Sequence, residues 1–97
     1  MKTHFVINTN SDYIAFASQE AGSIAVYGPS QTIGVDSPQQ TLTLSRSGSD
    51  TQAPFTARLG TTTEGTRFEA TAPVAAWYQP HTAAGAADED ETPLLGL

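Results

Sequence analysis

Gln40-Thr41-Leu42-Thr43-Leu44-Ser45 alternates without a break. Leu42 and Leu44 face one way, while Thr41, Thr43 and Ser45 face the other. That two-residue period belongs to a strand with one side on a core. Working outward, the same pattern recurs on both sides. Residues 54–59 set Phe55, Ala57 and Leu59 on one face. Residues 66–71 put Phe68 and Ala70 inward and Arg67, Glu69 and Thr71 outward. Residues 74–79 set Val74, Ala76 and Tyr78 against Ala75, Trp77 and Gln79.

Upstream, residues 2–8 carry Thr3, Phe5 and Ile7 on one face. Residues 13–18 are apolar on both faces (Tyr13, Ile14, Phe16), which suits a central strand. Residues 23–27 and 32–35 complete the set. Polar or Gly/Pro-containing turns fill each gap: 8–12, Gly28-Pro29-Ser30, Asp36-Ser37-Pro38 and 60–65. Residues 46–52 form the longest expected loop. Turn signals at intervals of roughly ten residues predict an antiparallel sandwich or small barrel. The expectation is an all-β domain over residues 1–80, a seven- or eight-stranded antiparallel β-sandwich or partly open barrel. An extended acidic C-terminal arm follows over residues 81–97.

Composition narrows the function classes. A chain of 97 residues buries roughly 60–65% of its unfolded surface, enough for one thin core. Charged residues make up only 14%, against about 25% in a typical domain. Of the net charge of −6, four units come from Asp88, Glu89, Asp90 and Glu91, so the body is nearly neutral. Lys2, Arg46, Arg58 and Arg67 are scattered, and no basic patch awaits nucleic acid. With no cysteine, a disulfide framework, Cys-based zinc sites and thiol nucleophiles are excluded. No apolar run approaches the ~20 residues of a membrane span. Phe5-Val6-Ile7 is too short for a signal-peptide core. A cytoplasmic origin and no membrane partner are therefore expected.

Catalytic chemistry has little to work with. Serines abound, but no Gly-x-Ser-x-Gly elbow occurs. His4 and His81, the two histidines, read as structural or solvent-facing. None of the eight glycines forms a phosphate-cradling pattern. Consecutive acids at 88–91 point in all directions and read as a solvated charge run. No enzyme, cofactor or metal site is expected.

The arm and the aromatics carry what binding signal there is. Asp88, Glu89, Asp90 and Glu91 suit electrostatic docking on a basic partner. Leu94, Leu95 and Leu97 then act as an apolar anchor, filling a groove or pairing with a strand edge. Asp90-Glu91-Thr92-Pro93-Leu94-Leu95 also matches an acidic dileucine sorting pattern, read as accidental in a chain with no membrane segment. Trp77 and Tyr78 are adjacent and so face opposite sides. One belongs to the core and the other is an exposed anchor. Tyr13, Tyr27 and Trp77 are alternatively the lining of a sugar-binding face.

In composition and layout the chain resembles capsid decoration, cement or head-completion proteins of tailed bacteriophages. These too are small, cysteine-free, Thr/Gly/Ala-rich β domains with terminal arms. The resemblance implies a non-enzymatic virion protein that binds and stabilises repeated subunits, itself open to homo-oligomerisation. It transfers no functional residue. Two other readings compete with it: a carbohydrate- or protein-binding module, and an inhibitor whose acidic tail covers a basic partner site.

Overall fold

The computed structural model describes residues 1–81 and 91–97. The described chain is all-β, with seven strands: β1 (Lys2–Val6), β2 (Ser11–Ser18), β3 (Gly22–Tyr27), β4 (Gln40–Leu44), β5 (Phe55–Leu59), β6 (Arg67–Pro80) and β7 (Thr92–Leu94). Every pairing is antiparallel. Hydrogen-bonded neighbours run β4-β3-β6-β2-β5, and β1 and β7 each add to β6. Ser45 and Thr56 exchange both backbone hydrogen bonds and draw β4 towards β5. The sheet is thereby nearly closed, a barrel rather than two separate layers.

β6 is the strand that makes this curvature. Its first half pairs with β1 and β3, and its second half with β2 and β7. Sequence reading divides it at Pro73 into two strands, 66–71 and 74–79. The structure shows one, because the proline sits where no ladder needs its missing N–H. The β3 ladder ends at Ala70 and the β2 ladder begins at Ala75. The Pro73 carbonyl is satisfied by the Ser18 hydroxyl, 2.8 Å away. Alternation passes straight through: Phe68, Ala70, Ala72, Val74 and Ala76 are all buried.

A second correction concerns residues 32–35, expected as a strand and found as a turn. Thr32 donates its N–H to Asp36 Oδ2 at 2.6 Å, and its carbonyl accepts from the N–H groups of Val35 and Asp36. Gly34 closes the turn at φ +90°, a conformation that costs glycine little. With its backbone satisfied locally, the segment has no call on a sheet edge, and Val35 is left exposed. Twelve residues (28–39) therefore separate β3 from β4, a longer gap than the 46–52 loop.

The core draws on five strands. Phe5, Ile14, Phe16, Ile24, Val26, Leu44, Phe68 and Val74 form one buried cluster together with Ile7 from the β1–β2 connection. Phe16 is central to it, 6.2 Å from Phe5 and 5.2 Å from Phe68 in edge-on and tilted geometries. Burial of each large apolar side chain contributes roughly 1.5–3 kcal/mol. Leu42, Phe55, Ala57, Leu59, Tyr78 and Leu94 pack around it, partly buried. β2 is central, as its two-faced pattern suggested, with β5 on one side and β6 on the other.

Candidate functional site

Two adjoining surfaces meet at β7. The first is a slot between β1 and the second half of β6. The β1–β6 pairing shifts register between Lys2 and His4. Further along β6, one edge at residues 76–78 is taken by β7: Ala76 opposes Leu94, Trp77 opposes Pro93, and Tyr78 opposes Thr92. Pro93 is tolerated because β7 is an edge strand with a ladder on one side only. Past β7 the chain crosses to β1, where the Leu97 N–H donates to the His4 carbonyl at 2.8 Å.

Gly96 makes that crossing feasible. A Cβ there would run into the first two carbons of the Lys2 side chain and crowd the Phe5 ring. Alternation along the segment does the rest. Leu94 turns inward onto the core cluster, while Leu95 is 84% and Leu97 74% exposed. A pocket of about 490 Å³ remains between segment and barrel, lined by Met1, Lys2, Phe5, Val74, Leu94 and Leu95 among others. Met1, at its rim, is 65% exposed. Three of the four exposed large apolar side chains among the described residues thus belong to this neighbourhood.

The second surface is the outer face of β2, β5 and the end of β6. Trp77 lies there, with Ala15 opposite on one side and Pro93 on the other. Tyr13 shares the face, with the Arg58 guanidinium 4.1 Å above its ring centre. The Tyr13 hydroxyl bonds to the Glu91 carboxylate, which raises the phenol's pKa above its ordinary value. Partial desolvation and the negative charge of Glu91 push the same way, and Arg58 opposes them.

The residues singled out from sequence fall as follows. Leu94 covers the core, Leu95 and Leu97 face outward, Trp77 is on the outer face, and Glu91 holds Tyr13. Asp88, Glu89 and Asp90 lie outside the described residues. Of Trp77 and Tyr78, Tyr78 is the one that packs on the core. Tyr27 is buried and does not join Tyr13 and Trp77. Sequence reading missed Met1, Tyr13's partner Arg58, and Gly96 as parts of a site.

Both histidines make exposed pairs with carboxylates, His4 with Glu69 at 3.0 Å and His81 with Asp12 at 2.7 Å. Such pairs are worth about 0–1 kcal/mol. Thr3 Oγ1 also lies 3.0 Å from His4 Nδ1, completing a hydroxyl–imidazole–carboxylate row. This row is on the outside of β1, and none of its members lines the pocket. Among the described residues, no three His, Cys, Asp or Glu side chains gather as a metal site requires. No helix among them is long and apolar enough to cross a membrane. No protein-family model, curated protein or solved structure matches the chain, which leaves the geometry of these two surfaces to speak for its function.

Proposed function

We propose that the protein is a non-enzymatic structural component that binds repeated subunits of a larger assembly, a virion accessory of the capsid decoration, cement or head-completion kind. The observation that carries this reading is the gathering of Met1 and Leu95, both exposed, at one apolar pocket, with exposed Leu97 two residues beyond, on a nearly neutral barrel. Buried on a partner, each such side chain contributes roughly 1.5–3 kcal/mol. The acidic run at 88–91 adds steering towards a basic partner and makes association salt-sensitive. Binding of this kind involves no reaction. It adds interface and thereby opposes disassembly.

Fractionation of the native source tests this directly. The chain should sediment with a large particle at fixed stoichiometry, and Leu95→Glu with Leu97→Glu should release it. Recovery as a free monomer alone overturns the reading. Recovery in a small one-to-one complex favours an inhibitor.

One observation favours a second reading, a carbohydrate-binding module. Trp77 and Tyr13 share an outer face otherwise built of small residues, Ala15, Ala17 and Ala75, with Arg58 and Glu91 as polar neighbours. Trp77 is the only tryptophan, so its fluorescence reports on this face alone. Saturable quenching by neutral oligosaccharides, lost in Tyr13→Ala, would support this module. An unchanged signal across such a panel would remove it.

A further inference from the structure

We infer that the slot between β1 and the second half of β6 is a strand-acceptor site, filled by residues 91–97 either of its own chain or of a second copy. The proposal deepens the assembly reading by naming another copy of this chain as a partner.

The slot cannot stand empty without cost. Phe5, Val74 and Ala76 form its floor and are 2%, 0% and 6% exposed, with Leu94 seated above them. The fit is particular to this segment. Leu94 points in and Leu95 out, Pro93 takes the edge opposite Trp77, and Gly96 passes where any side chain would strike Lys2. Main-chain pairing then supplies affinity, and alternate side chains supply register, as in other cases of strand addition.

Nothing in these contacts depends on which chain the segment comes from. The ladder to β6 and the bond to the His4 carbonyl are the same in either case. Eleven residues, 81–91, join Pro80 to Thr92, and that length can span at most about 40 Å. Tethers of this order give effective concentrations on the order of millimolar. Exchange therefore competes when chains are crowded to a similar concentration, as they are side by side on an assembly. β7 is three residues long, and so short an edge strand opens far more easily than the barrel does. Met1, Leu95 and Leu97 lie exposed at the slot, where an incoming chain must cross.

The chain has no cysteine, so introduced thiols report cleanly. Ala76 and Leu94 are directly opposite in the ladder. Tagged Ala76→Cys and untagged Leu94→Cys full-length chains are mixed at about 1 mM, near the tether's effective concentration, and oxidised. The expected result is a crossed 76–94 disulfide heterodimer above the statistical share of like-with-like dimers, falling away at micromolar concentration. The double variant should close within one chain when dilute. Tyr78→Cys with Thr92→Cys, also directly opposite, repeats the test should Ala76→Cys disturb folding. Closure only within the double variant, with no crossed product at any concentration, overturns the exchange. No closure in either pair overturns the slot itself. Crossed dimers from a chain never found in a larger particle would leave this inference standing and sink the assembly reading, and a particle-bound chain without them would do the reverse.

Discussion

β4 and β7 are both short strands with leucines on an alternating frame, and the barrel treats them differently. β4 pairs with β3 along its whole length and buries Leu44 to 2% exposure. Its far end is then tied to β5 through Ser45 and Thr56. β7 pairs over three residues, buries Leu94 only in part, and leaves Leu95 and Leu97 in solvent. Two short leucine-bearing strands thus give one that closes the barrel and one that covers a slot. The difference lies in the extent of pairing: β4 has a five-residue ladder to β3 and a doubly bonded bridge to β5 at Ser45, while β7 has a three-residue ladder to β6 and one bond to β1 at Leu97.

Placing a charge at the inward leucine of each strand tests that contrast most sharply. Leu44→Asp should abolish the cooperative thermal transition, since an unpaired buried carboxylate costs several kcal/mol, a large part of a stability of roughly 5–15 kcal/mol. Leu94→Asp should leave the barrel folded, because β7 can lift away and carry the charge into water. The cost is then the lost cover, about 1–2 kcal/mol, and a Tm lower by roughly 5–15 °C. Equal unfolding by both variants would mean that β7 is as integral to the barrel as β4.

The same contrast explains what could be read in advance. The β architecture was legible because core-facing residues keep the two-residue period wherever one side of a strand is buried, as in 40–45 and 54–59. Pro73 hid the unity of β6. Yet Phe68, Ala70, Ala72, Val74 and Ala76 share one parity across it, and a register count passing through the proline would have joined the halves. Residues 32–35 misled because Thr, Ile and Val favour strands, while the deciding contact, Asp36 to the Thr32 N–H, is a turn interaction. For the site, the apolar tip was visible in the sequence. That Leu94 would pack on its own barrel was not, because the edge it takes opens only past Val74, where the β1 ladder ends, and no local pattern encodes that.

Gly96 gives a finer test of how the segment leaves β7. In Gly96→Val the new Cβ meets Lys2 close to the backbone, so the strand and not merely a side-chain end must move. The Leu97–His4 bond should be lost at a cost of about 1 kcal/mol. Hydrogen exchange at the Leu97 amide should become fast while the Ile24 and Phe68 amides in the barrel stay protected. Unchanged protection at Leu97 would show that β1 yields to the segment.

The smallest expected effect concerns the contact at the other end of β7. The Glu91 carboxylate accepts a hydrogen bond from the Tyr13 hydroxyl, and this bond favours the protonated phenol. A folded-state pKa above the unfolded value of about 10 means that the native form holds its proton longer. Whatever the contact contributes is therefore fully present below that value and is lost as pH rises through the folded pKa. Ionisation would set a phenolate against a carboxylate, so the same titration should loosen the segment before β7. Absorbance titration of the tyrosines should show one site above the ordinary range, and Glu91→Gln should bring it back towards that range. The variant should leave thermal stability at neutral pH almost unaltered, because Tyr13 and Glu91 both sit at the surface. A high-pH tyrosine unmoved by Glu91→Gln would separate Tyr13 from the segment, and β7 would then be held by its ladder and by the Leu97–His4 bond.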